Sequence, residues 1–552
     1  MVYPTMWLKY KLCLNPPTRG FLGIKLKARV GLAYLPGALP CFEEFGCLPT
    51  DIVREDGLVG GEKASEILDL IIIPGGSLVE SQSLTKHVVK EIEKMADKGK
   101  FVLGICSGLQ VLSRATDIGR LSSAPILREG MGLLDVEFQP LICTDRVSAT
   151  IVGKSFMTSD VGSKVTGFHC HTYGKLVFHD NAKPVLVSHI QRANYKSAPQ
   201  DIVSGVTNVA GNVVGALMHA LLEKNPAIIQ SVATSLELSS EDLQSLREAN
   251  AKLRARIQNE VGISTNIISQ TAAGQSSKQS EILLVTATGS GAGKTFIVTG
   301  IAGALKKKGL NVGVVKIGGD IRDLVPALYL IKEPIRDYSS IKIGDSGWSP
   351  LNQVVEEASQ KHDFILIEGA MNAFTGMFNE NVKRPTSTAE VALALDAPTV
   401  LVVGCDKEGI EGAVINALNY ANLMKSLGVK VKGLILNKAR ISYLTDNTRM
   451  LIKSAFKNLE IELLGIVPRI ELEGRGMIPE VEIRYEEFGA KAIDTIEHNV
   501  DLNALAELSK PPMKITVDYS AFVEKFKNLL TTNSDCNPFT GGQRKIDNGL
   551  QV

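Results

Sequence analysis

The sequence has no excess of charge of either sign. Its 60 Lys and Arg are met by 59 Asp and Glu, a net of +1, so it carries no basic footprint for a nucleic-acid partner. It also lacks any apolar run approaching the roughly 18 residues that a membrane helix needs. Neither nucleic acid nor a membrane is therefore expected as a partner. Cysteine is sparse and scattered, at 13, 41, 47, 106, 143, 170, 405 and 536. That distribution has neither the density of a secreted disulfide scaffold nor the paired C-x-x-C spacing of zinc knuckles, and a reducing cytoplasm is the expected setting.

What is present is an ordinary core-forming composition, 44% hydrophobic and 22% charged over 552 residues. At roughly 150 residues per domain this length implies about three or four domains, or two large ones. Residues 1–28 carry Lys9, Lys11, Arg19, Lys25 and Lys27 with no acid before Glu43. Pro16-Pro17 interrupts any amphipathic targeting helix there, and no apolar stretch with a cleavage site follows. The segment reads as a poorly ordered extension, or an early start codon, ahead of a first strand over residues 29–34.

Two blocks, 29–238 and 281–510, alternate β-branched runs with helical patterns, which predicts two three-layer α/β domains. Between them, Ser239-x-x-Asp242 is a capping box, and Leu243, Leu246, Leu253 and Ile257 recur on one helical face. Gly262 is expected to end that helix. Residues 264–280 are rich in Ser, Gln, Thr, Ala and Gly, as in a flexible linker. A C-terminal helix is expected within 511–532 and a disordered tail over 533–552.

In the first block a short apolar strand, Phe101-Val-Leu-Gly-Ile, runs into Gly104-x-Cys106-x-Gly108 and then a helical pattern. Small residues two before and two after a nucleophile allow the tight turn that lifts its side chain above a sheet at a helix N-terminus, where the dipole favours a thiolate. The strand Leu70-Ile-Ile-Ile ends in Pro74-Gly75-Gly76, whose amides approach an oxyanion without a side chain in the way. Gly76 and the N–H of Ser107 are the expected oxyanion donors. Gly211-Asn-Val-Val-Gly215-Ala-Leu-Met-His219 delivers a histidine at a strand end, so His219 is the candidate base for Cys106. Gly167-Phe-His169-Cys-His171 places two histidines on one face of an extended segment and Cys170 on the other, a poor three-ligand metal site.

These residues resemble the class I glutamine amidotransferases. The cobyric acid synthase and cobyrinic acid a,c-diamide synthase branch is nearest, through the P-G-G turn, the G-I-C-x-G elbow and Glu129-Gly-Met-Gly-Leu-Leu-Asp-Val136. The resemblance implies a flavodoxin-like domain in which Cys106 attacks the glutamine side-chain amide and His219 relays protons. Most class I members carry H-x-E, whereas Leu221 stands two after His219. A Cys–His dyad is therefore implied, with the orienting group unassigned and Glu223 a weak substitute. The 167–171 segment resembles the branch's G-Y-E-I-H.

In the second block the strand Ile282-Leu-Leu-Val285 leads into Thr288-Gly289-Ser290-Gly291-Ala292-Gly293-Lys294-Thr295 and then a helical pattern over 296–306. This is a P-loop in strand–loop–helix context. Its amides face phosphate oxygens, Lys294 reaches the β/γ oxygens and Thr295 places a hydroxyl on Mg²⁺. Thr288 stands where the general motif has its first glycine. Two strand-end segments supply acids, Lys316-Ile-Gly318-Gly-Asp320-Ile-Arg-Asp323 and Glu368-Gly-Ala-Met371. Carboxylates at the carboxyl edge of a parallel sheet suit metal and substrate contacts, so Thr295, Asp320 and Glu368 are the expected metal ligands and Lys316, Asp320 and Asp323 the phosphoryl and substrate contacts.

This block resembles the ATP-binding half of the same amidoligases and dethiobiotin synthetase, a P-loop NTPase-type parallel sheet. Gly319 replaces the proline of K-x-G-P-D-x-x-D, and Asn372 replaces a glycine of E-G-x-M-G. Ser387-Thr-Ala-Glu390 and Leu434-Ile-Leu-Asn437-Lys also match, and the resemblance implies that Asn437 contacts the adenine. The family places the ATP-binding half first, and here it comes second.

Together these readings predict an ATP- and Mg²⁺-dependent ligase that takes ammonia from glutamine and amidates a tetrapyrrole polycarboxylate through an acyl phosphate. By resemblance the acceptor is cobyrinic acid at its a and c acetates. Cobyric acid synthesis and sirohydrochlorin-type diamidation stay open, as does a second copy of the chain as partner. The alternative of another class is a P-loop ATPase switch carrying a relic amidotransferase domain.

Overall fold

The computed structural model describes residues 26–35, 43–81, 83–260, 279–378, 384–471, 483–513 and 516–532. The expected extension before residue 26, the stop at Gly262, most of the linker and the 533–552 tail lie outside the described residues. The chain divides into two compact units. One comprises Met1–Ser264, Ile321–Ile335 and Leu472–Phe488, and the other Thr265–Asp320, Arg336–Glu471 and Gly489–Val552.

In the first unit the runs of Val, Ile and Leu form five adjacent parallel strands, ordered Val213–Ala216, Phe101–Ile105, Leu70–Ile73, Val30–Ala33 and Asp51–Val53. Leu70–Ile73 is buried along its whole length, as a strand covered on both faces must be. The sheet then continues antiparallel through Lys196–Asn208, Ala182–Ala193, Arg146–Ile151 and Lys164–Phe168, reaching nine strands. The long hairpin turns at Asn194 and Tyr195, both at positive φ (50° and 67°), as the turn that matches strand twist requires. A second, four-stranded sheet is ordered Lys175–Phe178, Val136–Gln139, Ala115–Asp117 and Leu127–Glu129. The first unit is thus a mixed sheet, with an antiparallel extension that the purely flavodoxin-like expectation did not include.

The helix Ser240–Glu260 belongs to this unit. Its capping box is reciprocal, with Asp242 N–H donating to Ser239 Oγ and Ser239 N–H to the Asp242 carboxylate. Leu246, Leu253 and Ile257 are buried. Ile321–Ile335, inside the stretch that the sequence assigns to the second domain, also groups here. Arg322 within it is buried, donating to Thr172 Oγ1 at 2.8 Å and to Tyr195 Oη at 2.5 Å.

The second unit is built on seven strands, all parallel, ordered Ser340–Ile341, Val312–Ile317, Phe364–Glu368, Glu281–Ala287, Thr399–Gly404, Val431–Ala439 and Glu462–Pro468. The P-loop follows the central strand Glu281–Ala287 and opens the helix Lys294–Lys307. Register puts Glu368 beside both Val285 and Lys316, so a strand-end acid and a lysine meet at the start of the loop. The helix Tyr519–Thr532 buries Phe522, Val523 and Phe526 in this unit's core. Among the described residues no helix is long and apolar enough to cross a membrane.

Candidate active site

Cys106 stands between the strand Phe101–Ile105 and the helix Ser107–Leu112 with φ 51° and ψ −109°. That backbone conformation is costly for a non-glycine residue and persists only where the surroundings enforce it. The flanking glycines are part of the enforcement. A Cβ on Gly108 would lie 2.2 Å from the Ile73 carbonyl oxygen, and one on Gly104 would lie 2.6 Å from the Gly108 carbonyl oxygen. The thiol is buried, with Sγ 3.7 Å from the carbonyl oxygen of Cys170.

His219 lies just past the strand Val213–Ala216, held by paired backbone hydrogen bonds with Phe168 of 3.2 and 2.9 Å. The Phe168 ring stacks on the imidazole with centroids 5.2 Å apart. A Cβ on Gly75 would lie 2.7 Å from His219 Cε1 and 3.2 Å from Cys106 Cβ. Gly75 therefore lines the gap between thiol and imidazole, and any side chain there would fill it. The structure thus brings Cys106 and His219 together around the Pro74-Gly75-Gly76 turn. The Gly76 N–H donates to Ser107 Oγ at 2.9 Å, and that hydroxyl also bonds Ser81 Oγ at 2.6 Å. Serving an oxyanion would require Gly76 to give up that bond.

The partner of His219 Nδ1 is Glu43, whose Oε1 lies 2.9 Å away with both side chains fully buried. Sequence reading missed it, because the pair is 176 residues apart and Glu43 sits in no motif. The only signal was that it is the first acid of the chain. Glu223, weighed for that role, instead accepts the N–H of Glu44 at 2.6 Å and so pins the segment that carries Glu43. Burial pushes the Glu43 carboxyl up to about 8 and that of Glu223 up to about 7, since a low-dielectric surround penalises the charged form. Glu43 Oε2 has no hydrogen-bond partner.

In the second unit, Gly291 and Gly293 have φ of 78° and 87°, the left-handed backbone that turns successive amides toward one point. Lys294 is buried and donates to the Met371 carbonyl at 2.6 Å. Thr295 Oγ1 donates to Glu368 Oε1 at 2.9 Å, and Lys316 Nζ reaches the same oxygen at 3.0 Å. Thr295, Lys316 and Glu368 thus form one cluster at the head of the loop, with Lys316 and Glu368 4% and 1% exposed. Asp320 is half-buried at the end of its segment of this unit, whereas Asp323 lies on the 3₁₀ turn Ile321–Leu324, which groups with the first unit.

Asn437 is buried beneath the loop. Its Nδ2 donates to the Ala292 carbonyl at 2.8 Å, its Oδ1 accepts the Lys438 N–H at 2.9 Å, and Lys438 Nζ reaches the Gly291 carbonyl at 2.6 Å. Both ends of the amide are engaged, so here Asn437 braces the loop, and contact with an adenine would cost one of those bonds. Mg²⁺ prefers oxygen donors and takes one or two carboxylates plus phosphates. The adjacent Thr295 hydroxyl and Glu368 carboxylate fit that preference. Among the described residues no group of three or more His, Cys, Asp or Glu is placed to hold a metal.

Comparison with known proteins finds two matched regions, the second of which includes the Ile321–Ile335 segment that groups with the first unit. Residues 49–227 match the CobB/CobQ-like glutamine amidotransferase domain, and residues 283–478 match the CobQ/CobB/MinD/ParA nucleotide binding domain. A cobyrinate a,c-diamide synthase of Listeria monocytogenes is 30% identical over 255 residues, covering 43% of this chain and 51% of that protein. A cobyric acid synthase of Dehalococcoides mccartyi is 30% identical over 196 residues, 33% of this chain and 36% of that one. A cobyrinate a,c-diamide synthase of Synechococcus sp. is 30% identical over 187 residues, 34% and 38% respectively. The chain therefore spans about half or less of the length of these curated relatives. Glu43 lies outside the matched amidotransferase region. The chain is thus similar, in this order, to a CobB/CobQ-like glutamine amidotransferase domain over residues 49–227 and to a CobQ/CobB/MinD/ParA nucleotide binding domain over residues 283–478.

Proposed function

We propose that the protein is an ATP-dependent, glutamine-hydrolysing amidoligase acting on carboxylates of a corrin or related tetrapyrrole, with cobyrinic acid as the acceptor that its relatives' names favour. The observation that carries the reading is Cys106 on a strained elbow beside a histidine whose far nitrogen rests on a buried carboxylate.

With Glu43 as carboxylate accepting the Nδ1 proton, His219 presents Nε2 as a base. Cys106 Sγ adds to the carboxamide carbon of glutamine. The amide nitrogen leaves with a proton delivered through His219, giving ammonia and a thioester. Water, deprotonated by His219, then releases glutamate and restores the thiol. At the other site an acceptor carboxylate oxygen attacks the γ-phosphorus of ATP, ADP leaves, and ammonia displaces phosphate from the acyl phosphate to form the amide. Lys294 and the loop amides bind and orient the phosphates. A Mg²⁺ ion, held by Thr295 and Glu368, would neutralise charge on the β- and γ-phosphates. Lys316 sets an opposite charge 3.0 Å from the buried Glu368 carboxylate, which offsets the cost of burying it.

The deciding experiment is incubation of the full chain with glutamine, Mg·ATP and, in turn, cobyrinic acid, its diamide and sirohydrochlorin, with amidations counted by mass. Two added amides on cobyrinic acid are expected. Glutamate release without amidation of any tetrapyrrole would sink the acceptor assignment and leave the glutaminase.

A further inference from the structure

Asn437 and Lys438 are neighbours on the strand Val431–Ala439, yet both side chains reach the phosphate loop. Successive residues of a regular strand point to opposite faces, so the alternation must break here. An added residue breaks it. Pairing with the strand Glu462–Pro468 runs from Leu436–Ile466 to Ala439–Pro468, three steps on one strand against two on the other. Lys438 sits in this bulge at a φ of 58°, a left-handed backbone that a non-glycine residue keeps only under constraint. Part of the constraint is local, since Oδ1 of Asn437 accepts the Lys438 N–H at 2.9 Å. Bulges gather beside functional sites, where they re-aim a side chain.

The bulge sets two donors on two consecutive carbonyls. Asn437 Nδ2 donates to the Ala292 carbonyl at 2.8 Å, and Lys438 Nζ to that of Gly291 at 2.6 Å. A second strand end steadies the lysine, because the Asp406 carboxylate, just past Thr399–Gly404, lies 3.1 Å from Nζ. In a planar trans peptide the C=O and the following N–H point in opposite directions. Fixing the carbonyls of Gly291 and Ala292 toward this pair therefore fixes the N–H groups of Ala292 and Gly293 away from it. Those two amides lie in the stretch that the left-handed Gly291 and Gly293 curl, and such a curl converges N–H groups on an anion. The approach is close. A Cβ on Gly293 would lie 2.3 Å from Asn437 Nδ2, so glycine at 293 is what admits the amide.

We infer that Asn437 and Lys438 are positioning residues for the nucleotide's phosphates: held on two carbonyls, they aim the Ala292 and Gly293 amides at phosphate oxygens before any ligand arrives. The inference rests on the nucleotide-binding reading of the P-loop, and it places both side chains behind the loop, away from the base. The gain is preorganisation, since peptide planes already turned need no reorientation when the phosphates bind.

The test is titration calorimetry of the full chain with Mg·ATP and with Mg·tripolyphosphate, which has the phosphates and no base. Asn437→Ala leaves the charge unchanged and should weaken both ligands by the same factor, roughly tenfold or less, the scale of one neutral hydrogen bond. Lys438→Met should weaken both alike, by about tenfold. Its loss should persist at high salt, where a bare charge effect on phosphate is screened. Lys438→Gly removes the same ammonium at a φ that glycine adopts freely, so it should repeat the loss even where the methionine variant folds poorly. A loss confined to ATP in Asn437→Ala, with tripolyphosphate binding intact, would return that residue to the base and overturn the inference. Unchanged binding of both ligands in all three variants, or a Lys438 loss that salt abolishes, would overturn it too. Wild-type protein that bound neither ligand would overturn the nucleotide reading itself, and the inference with it.

Discussion

The two sites are assembled in different ways. The P-loop cluster is nearly contiguous, since Gly291, Gly293, Lys294 and Thr295 come from one turn, and Glu368 and Lys316 join them because parallel register sets neighbouring strand ends side by side. The thiol site is distributed. Cys106, Gly75, His219 and Glu43 come from four separate segments, and the cysteine sits at a φ of 51° that only the surrounding packing sustains. A contiguous site tolerates a varied surround, whereas a distributed one depends on every strand that feeds it.

That contrast can be broken or sharpened by substitution. The largest effect is expected for Cys106→Ala, which should lower glutamate release from glutamine by about 10⁴-fold or more, as loss of a nucleophile does, while ammonia-fed amide synthesis persists. Loss of both activities would mean that the sites are not separable. Lys294→Ala should lower ATP consumption with either nitrogen source by about 10²–10³-fold, the scale for removing one preorganised donor, and leave glutamate release in place, which a coupled glutaminase and phosphate assay would read.

Glu43→Gln should cost about a hundredfold in glutaminase kcat, at the low end for disturbing a positioned base, with KM for glutamine little changed. Its pH profile is the sharper measurement. Glu43 must be a carboxylate to accept the Nδ1 proton, and burial holds it up to about 8 against the ordinary 4.5. Wild-type kcat should therefore rise with pH through about 8, and the inflection should vanish in the Gln variant. The same shift has a stability consequence. Between about 4.5 and about 8 the folded chain holds a proton that the unfolded chain has released, so Glu43 makes stability fall as pH rises across that window. Chemical denaturation of wild type and variant at pH 6 and 8 would expose the difference. The smallest effect, roughly tenfold or less, is expected for Asn437→Ala in nucleotide affinity, since Lys438 still anchors the loop at Gly291. The loss of one neutral hydrogen bond, about 1 kcal/mol, sets that scale, and nucleotide titration calorimetry would measure it.

Much of both sites was legible beforehand because the constraints are local. A nucleophile turn demands small residues at fixed offsets, and a phosphate cradle demands glycines followed by Lys-Thr at a helix start. Strand runs such as 70–73 and 101–105 coincide with the observed strands. Glu43 was not legible, because nothing in its neighbourhood announces a carboxylate destined for a histidine 176 residues away. Asn437 was placed at the nucleotide by resemblance, whereas its bonds to Ala292 and Lys438, which brace the loop, came only from the fold. The antiparallel half of the first sheet escaped notice because Asn194-Tyr195 is an unusual pair for a two-residue turn that calls for positive φ.

The sequence by itself determined the alternation of two α/β blocks, the elbow and the cradle, since each follows from residue size and periodicity over a few positions. Only the tertiary structure decided which carboxylate meets His219, that the Gly76 amide is spent on Ser107, and that Asn437 and Lys438 both reach carbonyls of the loop. Those are matters of burial and of partners brought together from distant segments, where the cost of an unmet charge or hydrogen bond is set by the packed surround and not by the neighbours in the chain.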